Sequence, residues 1–331
     1  MPEEVTLVVD AVGGDFAPAA VLDGVTAALA ADPALTVLLA GPADVVEPYC
    51  AGRDRATAMV CPEVIAMGEH PAQAVRSKRD SSIVAGCRAV KEGRAHAFFS
   101  AGNTGACMAA GTLVMGRIAG VSRPAIAAVL PTSPEHRTVL LDVGANADCK
   151  PENLLDFAHM GAAYARIVLG SDAPTVGLLN IGSEEAKGSQ LALDAHALMR
   201  EHVEGFVGNV EGGDVPHGTT DVVVTDGFSG NVALKVMEGL SSALLSRIRA
   251  AITGDVVSKA AAAVLKPRFA EVKAELDPET VGGAPLLGVD GVLIIGHGGS
   301  GPAAVAAACG VAARAVRGGL VPAIARAVAN A

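Results

Sequence analysis

Tryptophan is absent from this chain, tyrosine occurs twice, and aromatic residues make up only 3% of it. So few rings leave little for base stacking, and a formal net charge of -10 sets the general surface against a nucleic-acid backbone. No run approaches the roughly 18 uncharged apolar residues that a membrane span needs. The opening MPEEVTLVVD is acidic where a secretory leader is basic, which predicts a cytoplasmic protein. The six cysteines (Cys50, Cys61, Cys87, Cys107, Cys149 and Cys309) form no CxxC pair and read as reduced core thiols. The eight histidines are scattered, with no HExxH or HxH pair, so no metal is expected. No GxxxxGK[ST] occurs and VGGD does not match the GxGxxG spacing, which disfavours ATP and NAD chemistry, and GFSGN only approaches the GxSxG of a covalent serine mechanism.

What is present is small and aliphatic. Of 331 residues, 51% are hydrophobic and 39 are glycine, so a large core must be built from Val, Leu, Ile and Ala between many tight loops. VTLVVDAVGG, LTVLLAG, AHAFFSAG, AIAAVLP, TVLLDVGAN, APTVGLLNIG, DVVVTDGFSG and GVLIIGHGG read as buried strands, with helix-like segments between them. The fold expected is α/β, an α/β/α sandwich around a mostly parallel sheet with right-handed crossovers, in a single domain spanning 1–331. One segment breaks the rhythm. Over about 234–277, Val236, Leu240, Leu244, Ile248 and Ile252, then Leu265, Phe269, Val272 and Leu276, recur at helical spacing, predicting a protruding helical hairpin broken at Thr253-Gly254-Asp255. Its basic residues, Arg247, Arg249, Lys259, Lys266, Arg268 and Lys273, suit an anionic membrane or an acidic protein. A dimer interface with solvated charges is the equal alternative.

In an open parallel sheet, ligands bind at the strand C-termini, so the loops there are the candidate site. They read Asp10-Ala-Val-Gly13-Gly14-Asp15, Ser100-Ala-Gly102-Asn103-Thr104-Gly105, Asp142-Val-Gly-Ala-Asn146-Ala-Asp148, Asn180-Ile-Gly-Ser183 with Lys187-Gly-Ser189, Asp226-Gly227-Phe-Ser-Gly-Asn231, and His297-Gly-Gly-Ser300. Taken alone, FSAGNTGA is an ordinary strand-to-helix turn capped by Thr104. The repetition favours an anion held by backbone N–H groups, with Lys187 as countercharge. Asp15, Asp142, Asp148 and Asp226 have the chemistry to hold Mg²⁺, but helix capping and loop orientation are the favoured roles. His297 is a candidate base or a structural histidine.

VVDAVGGDFAP, EHPAQAVRSKRDSSI, SAGNTGA, LDVGANADCKPENL, GLLNIGSEEAKGSQL, VVVTDGFSGNVALK and GGAPLLGVDGVLIIGHGGS, in this order from about residue 5 to 305, resemble the phosphate acyltransferase family of bacterial phospholipid synthesis. The resemblance implies fatty acyl transfer from acyl carrier protein to inorganic phosphate, giving an acyl phosphate. It also implies a cofactor-free homodimer with a fold similar to isocitrate and isopropylmalate dehydrogenases. Peripheral membrane contact, with a membrane glycerol-phosphate acyltransferase as a further partner, follows from the same resemblance. Lys187 and Asn231 become the catalytic pair near the dimer interface. Gly13, Gly14, Asp15, Ser100, Gly102, Asn103, Thr104, Gly105, Asn146, Asp226, Gly227 and His297 become the substrate or phosphate site. Lys259, Leu265, Lys266, Arg268 and Phe269 become the membrane or carrier-protein contact, with Arg76, Lys78 and Arg79 as a second basic patch for the carrier. The sequence departs from the family at Ser189 and Gly301, where Asn is usual. Alternatives are a phosphotransacetylase-like enzyme acting on short acyl-CoA, a catalytically silent membrane scaffold, and a nicotinamide dehydrogenase.

Overall fold

The computed structural model describes residues 3–133, 136–255, 258, 262–268 and 281–329. Its strands are β1 (Val5–Asp10), β2 (Leu35–Gly41), β3 (Ala56–Val60), β4 (Ala97–Ser100), β5 (Ala125–Pro131), β6 (Arg137–Leu141), β7 (Val176–Asn180), β8 (Phe206–Glu211), β9 (Val222–Val224), β10 (Ala284–Leu287) and β11 (Val292–Ile295). They form one 11-stranded sheet in the order β3-β2-β1-β4-β11-β10-β5-β6-β9-β7-β8. The strands read from the sequence are all there. Three were missed, Ala56–Val60, Phe206–Glu211 and Ala284–Leu287, all short and two of them carrying only intermittent apolar positions.

Side-chain alternation gives the sheet a core on each face. Leu7, Val9, Phe99, Leu141 and Ile294 belong to one core, whereas Val8, Phe98, Leu140, Leu293 and Ile295 belong to the other. Phe98 and Phe99, adjacent in sequence and both essentially inaccessible, thus anchor opposite layers, each contributing about 1.5–3 kcal/mol by burial. The first core is covered by helices Ala19–Ala31, Pro151–Tyr164, Gln190–His202 and Pro302–Arg317, and the second by Pro71–Ser77, Ser82–Lys91 and Thr104–Ala110. The α/β/α sandwich follows from that division.

Strand direction positions the loops. β3, β2, β1, β4 and β11 are parallel, as are β6, β9, β7 and β8. Between the groups lie three antiparallel steps, β11 to β10, β10 to β5 and β5 to β6. An odd number of reversals makes the second group run opposite to the first. The strand C-termini therefore open on two opposite edges, and the single loop-lined edge expected from a wholly parallel sheet divides in two.

Helix Gly227–Ile252 projects from the sandwich: only Gly227 and Gly230 are buried, while Leu234 and Met237 pack partly against the second core. It is the first arm of the expected hairpin, beginning about two turns before residue 234 because Asp226 caps it. Helical backbone resumes over 262–268 and includes Pro267. Lys259, Phe269, Val272, Lys273 and Leu276 lie outside the described residues. Among the described residues no single helix is long and apolar enough to cross a membrane. Pro302–Arg317 and Leu320–Ala329 qualify only as a pair bent by 54°, and the first buries Val305, Ala308, Cys309 and Ala312 in the core.

Candidate active site

The first edge gathers the loops after β1, β4 and β11. Asp10 is buried, and its carboxylate accepts from the Ser100 hydroxyl at 2.7 Å and the Val12 N–H at 3.2 Å. Burial pushes its pKa up, while the Ser100 and backbone hydrogen bonds pull it back. Ser100 Oγ also accepts from the Gly102 N–H at 3.0 Å. A methyl group on Gly13 would lie 2.6 Å from Asp10 Oδ2 and 2.7 Å from Gly102 N, so glycine is required by close approach. Asn103, not Thr104, caps helix Thr104–Ala110: its Oδ1 accepts from the Ala106 N–H at 2.9 Å. Its Nδ2 donates to the carbonyls of Ala66, Met67 and Glu69 at 3.0–3.2 Å, so its polar atoms face inward. Thr104 stays exposed because the residue before it already occupies the capping position. Asp15 donates its N–H to the Gly298 carbonyl at 2.7 Å, beside Gly14, and its side chain is exposed. Gly105 packs against Pro71, and the exposed His297 accepts the Gly299 N–H on Nδ1 at 3.1 Å.

The second edge gathers the loops after β6, β9 and β7, which are neighbours in the sheet. At its centre Asp142, fully buried, accepts five hydrogen bonds. Oδ1 takes the N–H groups of Ile126, Gly144 and Ala145 at 3.0–3.1 Å, and Oδ2 takes Asn146 N at 2.7 Å and Nδ2 at 2.9 Å. Burial raises its pKa against the pull of these donors. The orienting role expected for this carboxylate is the one seen. Asp226 caps Gly227–Ile252 by accepting the Ser229 N–H at 2.8 Å, again the capping role.

Asn231 is the fifth residue of that helix and donates from Nδ2 to the Val143 carbonyl at 2.9 Å. One of its two amide protons is thereby used, and the other makes no hydrogen bond among the described residues. The neighbouring backbone is fitted to this. Gly144 has φ +143°, and a methyl group there would lie 3.2 Å from Asn231 Nδ2. A methyl group on Gly230 would collide with the Asp142 carbonyl oxygen, so the helix approaches the loop at glycine. Gly227 donates to the Asn146 carbonyl at 2.7 Å. Lys187 is exposed in the loop after β7, whose shape is fixed by Asn180 Nδ2 donating to the Lys187 carbonyl at 3.0 Å. Cys149 lies half-buried at the end of the loop after β6, its Sγ donating to the Asn146 carbonyl at 3.5 Å and its thiol pushed up to about 11 by burial. A thiol so protonated is a poor nucleophile.

Both departures from the family pattern fall on helix caps. Ser189 caps Gln190–His202, its side chain accepting the Ala192 N–H at 3.3 Å, and Gly301 precedes Pro302 at the start of Pro302–Arg317. Asn, Ser and Gly are all accepted at this position, so the exchanges leave the loops intact. Among the described residues no three His, Cys, Asp or Glu side chains gather as metal ligands. Of the contact residues expected on the hairpin, Leu265 is 49% exposed, and Lys266 and Arg268 are exposed as well. In the second basic patch, Lys78 is engaged by Glu69 at 2.6 Å and by the Val64 carbonyl at 2.7 Å. Sequence reading missed Arg117 and Arg123, which the fold brings against the loop after β6; MGRIAGVSRPA carries no motif that marks them.

The chain matches the model of a family described as "Fatty acid synthesis protein" over residues 5–322. It is 47% identical to a phosphate acyltransferase of Heliobacterium modesticaldum, covering 96% of each chain. It is 52% identical to one of Elusimicrobium minutum over 78% of this chain and 76% of that one. Among solved structures, a phosphotransacetylase from Streptococcus pyogenes superposes with TM-score 0.63 at 16% identity, covering 96% of this chain and 95% of that one. A 4-hydroxythreonine-4-phosphate dehydrogenase from Klebsiella pneumoniae follows at TM-score 0.52 and 14% identity, covering 95% and 98%. These two likenesses establish the fold.

Proposed function

The chain belongs to the fatty acid synthesis protein family, and on that premise we propose that it transfers a fatty acyl group from acyl carrier protein to inorganic phosphate, forming acyl phosphate for phosphatidic acid and phospholipid synthesis. It is an acyltransferase. The observation that carries the site is the convergence of Lys187, Asn231 and the loop Asp142–Asn146 on the ends of three neighbouring parallel strands.

A thioester carbonyl is already reactive, and its thiol has an ordinary pKa near 8.5, so the leaving group needs little acid help. A phosphate oxygen attacks the carbonyl carbon, the C–S bond breaks, and the departing thiolate takes a proton from solvent. The demand is positioning and charge. Negative charge on the carbonyl oxygen is met by the Lys187 ammonium and the unused amide proton of Asn231, whose side chain is held by the Val143 carbonyl. Attack is direct, without an acyl-enzyme, in keeping with the protonated Cys149. Asn146, Asp226 and Gly227 shape the site by fixing its loops. Around β1, β4 and β11, the inward bonds of Ser100 and Asn103 favour a scaffold role, leaving Gly14, Asp15, Thr104 and His297 as that edge's groups for a ligand.

A second copy of the chain covers helix Gly227–Ile252. Its stripe Val232, Val236, Leu240 and Leu244 is 47–66% exposed and begins one residue after Asn231. Burying that stripe in a homodimer removes it from water and closes the site from one side. Val264 and Leu265, with Lys266 and Arg268, form the membrane contact, and the carrier protein docks on basic residues beside it. The whole chain acts as a single domain, cytoplasmic and peripheral to the membrane.

The test is to incubate the purified protein with long-chain acyl carrier protein, with and without phosphate, and trap acyl phosphate as hydroxamate. Phosphate-dependent hydroxamate supports the assignment. Product from acetyl-CoA alone moves it to a short-chain phosphotransacetylase, and silence with both favours the scaffold.

A further inference from the structure

Asn231 holds the loop Asp142–Asn146 at Val143. The end of the same loop, at Ala145 and Asn146, borders a cavity of about 280 Å³ lined also by Met108, Thr112, Arg117, Arg123 and Leu286, among others. Its volume sits just below the roughly 300–1,000 Å³ of small-molecule sites, which suits a compact polar group.

The two arginines are held in place by backbone rather than by acids. Arg117 Nη1 donates to the Ser122 carbonyl, and Arg123 Nη1 donates to the Asp148 carbonyl at 2.7 Å. Among the described residues neither pairs with a carboxylate, so each guanidinium keeps a full charge and most of its N–H groups for something else. The acid that meets this wall through Ser122 is already committed. Asp156 accepts the Ser122 N–H at 3.0 Å and the Ser122 hydroxyl at 2.5 Å. Asn146 is equally fixed, its Nδ2 donating to the Pro124 carbonyl at 2.8 Å and to Asp142. Fixed guanidinium forks around a small cavity, in a chain of net charge -10, are a match for a phosphate oxygen set.

We propose that Arg117 and Arg123 form a phosphate-recognition subsite of the acyl-transfer centre, beside the Asp142–Asn146 loop that Asn231 holds. This rests on the acyl-transfer reading. Lys187 and Asn231 then meet the carbonyl oxygen, and the arginines fix a phosphate group. Two reactants bring that chemistry: the inorganic phosphate that attacks, and the phosphodiester that joins a carrier protein to its thiol arm.

The experiment measures KM for phosphate and for the acyl donor in Arg117→Gln/Arg123→Gln and in Arg117→Lys/Arg123→Lys. The donors are acyl carrier protein and acyl-pantetheine, which lacks the phosphodiester. A rise in phosphate KM of about ten- to a hundredfold with both donors, partly restored by lysine, assigns the subsite to inorganic phosphate. A similar rise in KM for the carrier alone, with acyl-pantetheine unchanged, assigns it to the phosphodiester. Either outcome upholds the subsite. All KM values within twofold of the unaltered protein, at an unchanged melting temperature, overturn it. If the variants do not fold, phenylglyoxal labelling of the intact protein decides. Protection of Arg117 and Arg123 by phosphate or by phosphopantetheine supports the subsite, and protection by neither overturns it. The acyl-transfer reading fails separately, when the unaltered protein yields no phosphate-dependent hydroxamate.

Discussion

The two loop edges are built from the same residues, yet they end differently. Around β1 and β4, an aspartate, a serine, an asparagine and several glycines close on one another. Ser100 bonds Asp10, Gly13 lies against both, and Asn103 is tied to three carbonyls and to its own helix. Around β6 and β9, the aspartate takes over the organising work alone. Asp142 receives five bonds, so Asn231 and Lys187 are left with donors to offer. Polar glycine-rich loops are thus not evidence of a site until their donors have been followed to their acceptors.

The contrast is sharpest in rate. Lys187→Ala and Asn231→Ala are each expected to lower kcat about 10²- to 10³-fold with little change in melting temperature, measured by hydroxamate trapping alongside thermal melts. Activity within threefold of the unaltered protein would move catalysis away from this edge. Next comes the organiser. Asp142→Asn turns an amide N–H₂ toward backbone donors and should cost roughly 3 kcal/mol of stability, read by urea unfolding.

The opposite edge provides the control. Ser100→Ala strips the buried Asp10 of a donor, so a loss of about 1–3 kcal/mol is expected while the phosphate KM stays put. A raised KM there would return phosphate to the loops after β1 and β4. Cys149→Ala should leave kcat within twofold, since a thiol pushed up to about 11 contributes no thiolate near neutrality. A large loss would point to an acyl-enzyme after all.

The smallest effect lies outside both edges. The Arg317 guanidinium, bonded to Asp32 at 2.8 and 3.1 Å, holds that carboxyl below its ordinary value. A lowered aspartate contributes stability that is present above the unfolded-state pKa and lost as pH falls through the folded-state one. Thermal melts of Asp32→Asn should therefore fall slightly below those of the unaltered protein at neutral pH and converge with them in acid. Both side chains stay partly open to solvent, which screens the pair, so the difference stays within about 1 kcal/mol.

Much of this was legible in the residues. Continuous apolar runs such as VTLVVD and VLII marked the buried strands, and the four-residue recurrence of Val236, Leu240 and Leu244 marked the projecting helix. Strand direction was not legible, because the reversals through β10, β5 and β6 depend on pairing between segments far apart in sequence. Without it, loops on two edges read as one. The cap at Asn103 was missed in favour of Thr104 because either residue type caps well, and only the backbone conformation separates them. Arg117 and Arg123 gave no signal since their role depends on what the fold sets beside them.

A crystal structure grown with arsenate, located by its anomalous scattering, tests the central claim most directly. Arsenate bound beside the Asp142–Asn146 loop, within reach of Lys187 and Asn231, is the result expected. Arsenate seated instead among Gly13, Gly102 and Thr104 would contradict the assignment of catalysis to the β6, β9 and β7 edge.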